Sequence, residues 1–247
     1  MKIIGFLFLG LFFFVVLSCR KANERSCFKR SGDPSFRTVV LGSFNRLFLR
    51  EHIKYVLVQD STDQVIVRGG ANLIPFIEID EVDGLVTVVN KNRCNFLRNY
   101  DIPTVEIHFT RLINLHFEGT EELYNLDTIS TDYLTITLRD GAGTIDLTVN
   151  AMDIKAENTN GWGSMVLRGS TQSLRANLMG DGAFHFEELK VLNSLKILTV
   201  SSREQKIRAE AIPLQVQIDG MGNIRYWGYP STISLNKYGS GDLIDSN

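Results

Sequence analysis

"DGAGTIDL", residues 140–147, sets Gly141 and Gly143 ahead of an alternating run of side chains. The pattern returns as "NGWGSMVL" (160–167), "MGDGAFHF" (179–186), "DGMGNIRY" (219–226) and "YGSGDLI" (238–244). Aligned on the second glycine, the anchors are Gly143, Gly163, Gly182, Gly222 and Gly241, in steps of 20, 19, 40 and 19. The step of 40 is a double one, with Ser202 standing midway in "VSSRE" (200–204). A looser copy, "FEGTEELYNL" (117–126), precedes them, so the unit recurs about seven times between residues 112 and 244. A fixed period near twenty is the mark of a solenoid.

Each unit holds short segments of period two. "LTITL" (134–138) puts Leu134, Ile136 and Leu138 on one side and Thr135 and Thr137 on the other. "LQVQI" (214–218) repeats the alternation, and "AFHFE" (183–187) sends Phe184 and Phe186 inward. Period two means a strand with one buried and one wet face. No apolar i, i+3, i+4 run lasts two helical turns, and glycine interrupts it. A meander of hairpins accounts for strand–turn–strand, but not for the likeness of strands one period apart. Stacked windings do account for it, because like positions then share one environment. The expected fold is therefore all-β: a parallel β-helix of about seven C-terminal coils, each with three short sides and rising about 4.8 Å.

The glycines mark a corner, for which two reasons offer themselves. A sharp turn often needs φ > 0, which glycine adopts without steric cost. Stacked corners also approach closely, leaving little room for a Cβ. Asp140, Asn160 and Asp219, just before the glycines, suit the same turn by bonding their own backbone.

Residues 36–111 are less regular but still strand-like, as in "IKYVLVQ" (53–59), "QVIVRG" (64–69), "FIEIDEV" (76–82), "LVTVVN" (85–90) and "TVEIHF" (104–109). "VDGL" (82–85) carries an Asp-Gly hairpin signal, and "GGANLIPF" (69–76) has room for one helical turn. This half is expected to form the first coils and a cap. No linker separates the halves, so residues 36–247 are read as one head domain.

The beginning of the chain is different. Lys2 is followed by an unbroken run of apolar or small residues, Ile3 to Leu17, then Ser18 and Cys19. The run is short for a membrane span, which needs about 20 residues, and reads as a secretory signal over residues 1–18. The tetrad "VLSC" (16–19) resembles the lipobox of bacterial lipoproteins. That resemblance implies cleavage before Cys19, acylation of that cysteine and a membrane anchor in the cell envelope, with the outer membrane as the expected location. The other reading is a soluble secreted protein. Residues 19–35 are polar and without period, a tether. Cys27 and Cys94 remain, either a disulfide pair or two buried thiols.

The 247 residues carry a formal net charge of −2, which gives no ground for nucleic-acid binding. His52, His108, His116 and His185 show no metal-ligand spacing, though His108 and His116 lie near Glu106 and Glu118 and could form a small polar cluster. Neither a nucleophile elbow nor a calcium loop is present. Asp140, Asp181, Asp219 and Asp242 fall near the corner line, where a lyase or hydrolase could draw its carboxylates but where turns also favour aspartate. Trp162 stands at a corner tip. Tyr226, Trp227 and Tyr229 cluster in "RYWGYP" (225–230), with Tyr238 one coil on. Together these five are the candidate platform for a glycan or a partner protein, while the cluster's other reading is an end cap. Arg168, Lys206, Arg208 and Arg225 alternate with Asp146, Glu187 and Glu210, a mixed solvated face.

"FNRLFLREHIKYVLVQ" (44–59), "VIVRGGANLIPFIEIDEVDGLVTVVNKNRCN" (65–95) and the closing "YGSGDLI" resemble the head GIN domain family, labelled auto-transporter adhesins of Gram-negative bacteria. The resemblance covers most of residues 37–244. It implies a right-handed, single-stranded β-helix and brings no catalytic residue, metal or cofactor. The chain departs from the family's corners at Ser201–Ser202 and at Ala142, Trp162, Asp181 and Met221. The expected function is a non-catalytic envelope lipoprotein that binds a glycan or protein. The alternative is a polysaccharide lyase or hydrolase on the same scaffold.

Overall fold

The structure, a computed structural model, describes residues 30–92 and 101–247. Cys19, Cys27 and Cys94, and with them the signal segment, the lipid site and the disulfide question, lie outside the described residues. Arg30–Lys91 and residues 101–247 belong to one compact unit.

The first strands are β1 (Pro34–Val40), β2 (Arg46–Arg50), β3 (Lys54–Gln59), β4 (Gln64–Gly70), β5 (Ile77–Val82), β6 (Leu85–Asn90) and β7 (Thr104–Phe109). One 3₁₀ turn, Ile74–Phe76, falls within the segment where the sequence leaves room for a helical turn. The Asp-Gly signal also holds: Asp83 and Gly84 take φ of 50° and 74°, and they join β5 to β6 as an antiparallel hairpin.

The regular windings follow, with β8 (Asn114–Glu118), β9 (Glu122–Asn125), β10 (Ile129–Arg139), β11 (Thr144–Thr159) and β12 (Ser164–Leu178). Then come β13 (Ala183–Phe186), β14 (Leu189–Thr199), β15 (Gln205–Arg208), β16 (Pro213–Ile218), β17 (Ile224–Trp227), β18 (Thr232–Lys237) and β19 (Leu243–Asp245). From β8 on, every pairing is parallel, and each segment lies on the one a winding earlier. The fold is the parallel β-solenoid that the repeat predicts.

The long strands β11 and β12 bend through three sides. Residues 144–147 pair with 164–167 on the second side, 149–151 with 169–171 on the third, and 153–158 with 173–178 on the first. The first side continues through β14, β16 and β18; the second through β13, β15, β17 and β19. Along the first side Leu134 lies beside Ile154 and Ile154 beside Leu174. The spacing lengthens at an irregularity between Thr171 and Ser173, so that Leu174 meets Leu195. It then shortens, and Leu195 meets Leu214 and Leu214 meets Ile233.

Parallel register converts alternation into vertical columns. Leu115, Ile136, Ala156, Ala176, Ile197 and Val216 form one, and every member is buried. Each large aliphatic residue removed from water contributes about 1.5–3 kcal/mol. Among the described residues the apolar columns merge into one core. The last winding breaks the rule. Lys237 follows Ile218 in its column and Asp245 follows Tyr226, so charges stand where the core columns run out.

The N-terminal half combines coils and cap in an order the sequence does not display. β2 and β3 form one winding, but its neighbours on one side are β8 and β9, so that Leu47 lies beside Leu115 and Tyr55 beside Leu123. On the other side lie β6 and β7, also parallel. β4 pairs antiparallel with β7 and with β1. Strands β6 and β7 thus stack beneath the first winding, with β4 and β1 joined antiparallel to β7.

The corner glycines have one reason, not two. None in the Gly-x-Gly pairs has positive φ; the left-handed residues are Asp140 (52°) and Asn160 (58°), each before the first glycine. Asp219 is not among them. A Cβ on Gly141, Gly163, Gly180 or Gly241 would instead strike a backbone carbonyl of the preceding winding. Close stacking alone excludes side chains there.

Candidate functional site

The corner between the first and second sides is the most distinctive surface of the solenoid. Two residues per winding project from it: the one before the first glycine and the one between the glycines. The backbone that carries them is pinned from below. Trp162 N–H donates to the Gly141 carbonyl at 2.9 Å, Gly222 N–H to Ser201 at 2.9 Å, and Gly241 N–H to Gly220 at 3.1 Å.

Polar side chains that sequence reading overlooked complete the pinning. Asn158, fully buried, stands in a column between Leu138 and Leu178. Its Oδ1 accepts from Gly161 N–H at 3.0 Å and its Nδ2 donates to the Gly163 carbonyl at 3.3 Å. In the winding without glycines, Ser201 and Arg203 occupy the two glycine positions, and Ser202 is the tip. Buried Gln205 accepts from Phe184 N–H at 2.6 Å and donates to the Arg203 carbonyl at 2.7 Å. Ser201 Oγ donates to the Gly182 carbonyl at 2.9 Å. The signal in the sequence was a polar residue at an inward position of a strand.

The tips Trp162, Asp181, Ser202 and Met221 stand on successive windings. With Met179, Val200 and Asp219 they line a shallow groove of about 660 Å³. Trp162 and Met221 are each 70% exposed, and Met179 is 52% exposed. The Trp162 carbonyl accepts from Arg203 Nη1 at 3.2 Å, so the tip is fixed from two windings away while its indole stays free of the core.

Each carboxylate of the corner has a hydrogen-bond or ion-pair partner of its own. Asp140 accepts from its neighbour Arg139 at 3.1 Å, and Asp242 pairs with Lys237. Asp219 takes both its bonds from Gln217. Asp181 Oδ1 accepts from Ser202 N–H at 2.7 Å and from Ser202 Oγ at 2.8 Å. The Ser202 backbone and hydroxyl hold the Asp181 carboxyl below its ordinary range, the reverse of what a general acid requires. Asp181 and Asp219 share the groove as acceptors, and no histidine lines it among the described residues.

The coordinates set the five aromatic residues apart from one another. Tyr226 points inward, buried, with its hydroxyl donating to Asp245 Oδ2 at 3.0 Å. Trp227 belongs to the outer face of the second side, beside Arg208 in register. Tyr229 is exposed, but it follows β17, away from the Gly-x-Gly corner. Only Trp162 and Tyr238, the residue before Gly239, share that corner, and Tyr238 is outside the groove lining. The cluster caps nothing either, since β18 and β19 stack beyond it.

The histidines also separate. His108, on β7, bonds Asp60 through Nδ1 at 2.6 Å and Glu106 through Nε2 at 2.8 Å. His116, on β8, bonds Glu118 at 3.1 Å and meets the Phe48 ring edge-on. The second side is the mixed face expected: Arg168 pairs with Asp146 and Glu188, Lys206 with Glu187, and Arg225 with Glu204.

The solenoid recurs in solved structures. A protein of Bacteroides fragilis called a "putative adhesin" superposes with a TM-score of 0.77 at 20% identity, over 87% of this chain and 97% of its own. One of Parabacteroides merdae under the same description gives 0.63 at 18%, over 88% and 98%. A "putative lipid binding protein" of Parabacteroides distasonis gives 0.58 at 14%, over 87% and 98%. At such identities the likeness shows the fold alone. No curated protein matches the sequence. Residues 43–243 match the family described as "Putative auto-transporter adhesin, head GIN domain", and the chain belongs to that family.

Proposed function

We propose that this protein is a non-catalytic binding module of the cell envelope that holds neutral glycan rings in the corner groove. The observation that carries the reading is Trp162: a large indole, 70% exposed, carried on a pinned backbone corner beside hydrogen-bond acceptors. Exposed apolar surface rimmed by polar groups marks a site of interaction. A sugar ring offers an apolar face for an indole and hydroxyl donors for carboxylates, and the groove supplies both partners. The acidic lining from Asp181 and Asp219 favours neutral over acidic sugars. A polysaccharide lyase or hydrolase is less well supported, because the Ser202 donors hold Asp181 ionised, which does not suit it to act as the general acid.

An adhesin-type family fits display at the envelope, and acylated Cys19 would supply the attachment, with residues 19–35 as tether. Radiolabelled palmitate should enter the wild-type chain and not Cys19→Ser. For the groove, a glycan array probed with the chain should show retention of neutral oligosaccharides that Trp162→Ala abolishes and Trp162→Phe weakens. An array without neutral binders, or binders indifferent to Trp162→Ala, would overturn the reading.

A further inference from the structure

The first side carries its own feature. Its outward residues stand in straight columns, because β10, β11, β12, β14, β16 and β18 pair in parallel register. One column runs Thr135, Lys155, Arg175, Lys196, Gln215 and Ser234. Three cations therefore occupy successive windings about 4.8 Å apart. Like charges opposed on neighbouring strands destabilise a sheet. Lys155 is relieved by Glu157 at 2.8 Å. Arg175 and Lys196 are exposed and, among the described residues, have neither an ion pair nor a side-chain hydrogen bond.

The second side differs. There Arg168, Lys206 and Arg225 each have a carboxylate within 4.0 Å. Across the first-side segments 134–138, 153–158, 173–178 and 194–199, the acidic residues are Asp153 and Glu157, both on β11. The columns flanking Arg175 and Lys196 instead carry Ser173, Ser194, Asn177 and Leu198.

We propose that this row binds a linear acidic polysaccharide laid along the stacking axis. Arg175 presents a planar fork suited to carboxylate or sulfate, and Lys196 a compact charge one winding on. Ser173, Ser194 and Asn177 supply hydrogen bonds to ring hydroxyls. A straight row of charges on a flat face matches a polymer with anions at intervals. An anionic membrane is the poorer match, since it calls for a cluster of about four or more unpaired basic residues. The overall charge of −2 means that general attraction does not explain polyanion binding. The site is independent of Trp162.

The test uses the full chain on immobilised alginate and dextran sulfate, with dextran as the neutral control, at low and at physiological salt. Retention on both polyanions, none on dextran and a fall with salt are expected. Arg175→Gln with Lys196→Gln should weaken retention at least tenfold. Lys54→Gln with Lys190→Gln, which removes the same charge from exposed positions elsewhere, should not. Trp162→Ala should also retain polyanion binding. No retention, equal loss in the two double variants, or phosphatidylglycerol-vesicle binding that Arg175→Gln with Lys196→Gln lowers as much as polyanion retention would overturn the proposal. Unfolding curves of both double variants matching wild type keep the comparison clean.

Discussion

A Cβ on Gly163 would fall on the carbonyl oxygen of Gly143, in the winding directly below. The obstruction is backbone and cannot rotate away, unlike the far end of a side chain. Gly163→Ala should therefore destabilise the protein by about 2–3 kcal/mol. Ala142→Ser, at an exposed tip next to Gly143, should change stability by no more than about 0.5 kcal/mol. Urea unfolding of the two variants checks the contrast. Equal behaviour would mean that the glycines serve the turn and not the stack.

Asn158→Leu places an apolar residue between Leu138 and Leu178, where the column otherwise prefers one. It also strands the Gly161 N–H, which Asn158 Oδ1 satisfies. An unsatisfied buried donor costs about 1–3 kcal/mol. The variant should be less stable in denaturant despite its greater hydrophobicity.

Much of the fold was legible because stacking writes itself into sequence. A period near twenty, alternation within it and glycines at one phase all follow from vertical columns. The winding at Ser201–Arg203 blurred for two reasons. The register slips where Thr171–Ser173 meets Val191–Ser194, just before it, and its corner is held by polar bonds from Ser201 and Gln205 in place of glycines. The order of the first windings was not legible: β2 meets β8, Leu47 beside Leu115, a separation no local pattern encodes. Tyr226 could have been placed, since alternation in "NIRYW" puts it with inward Ile224 and sets Arg225 and Trp227 outside. Trp162 was found because a residue between two corner glycines has nowhere to be buried. The row of Lys155, Arg175 and Lys196 needed the register, since its members lie a full winding apart and the spacing lengthens between the second and the third.

The Asp60–His108–Glu106 cluster predicts a pH dependence. Burial disfavours the charged His108 ring, but hydrogen bonds to Asp60 and Glu106 outweigh it and raise the ring above its ordinary 6.5. The His108 bond, with further bonds from Thr62, lowers Asp60 to about 2. For a raised histidine, the stabilisation is full below pH 6.5 and fades as pH climbs through the folded value. For the lowered aspartate, it is full above 3.8 and is lost as pH falls toward about 2. NMR titration should show His108 protonated above the ordinary histidine range, and Asp60→Asn should bring its midpoint down.

Lys237 and Asp245 stand at the ends of columns that are otherwise largely apolar, and β18 is exposed along its whole length. Inward charges are a known guard against edge-to-edge pairing. Lys237→Leu with Asp245→Val should let the chain associate end to end, seen as a larger species in sedimentation velocity. A double variant that sediments like wild type would show that the charges guard nothing.

The columns, the corner tips and the basic row all depend on one relationship, parallel stacking of successive windings. Ser173 and Ser194 face each other in register, with their hydroxyls 3.4 Å apart. Neighbouring strands lie about 4.8 Å apart, within the Cα separation a disulfide spans. With Cys19, Cys27 and Cys94 replaced by serine, Ser173→Cys and Ser194→Cys should oxidise to one intramolecular disulfide, identified by mass spectrometry of the linked peptides. Two thiols that stay free in the folded, oxidised protein would contradict the stack and the surfaces derived from it.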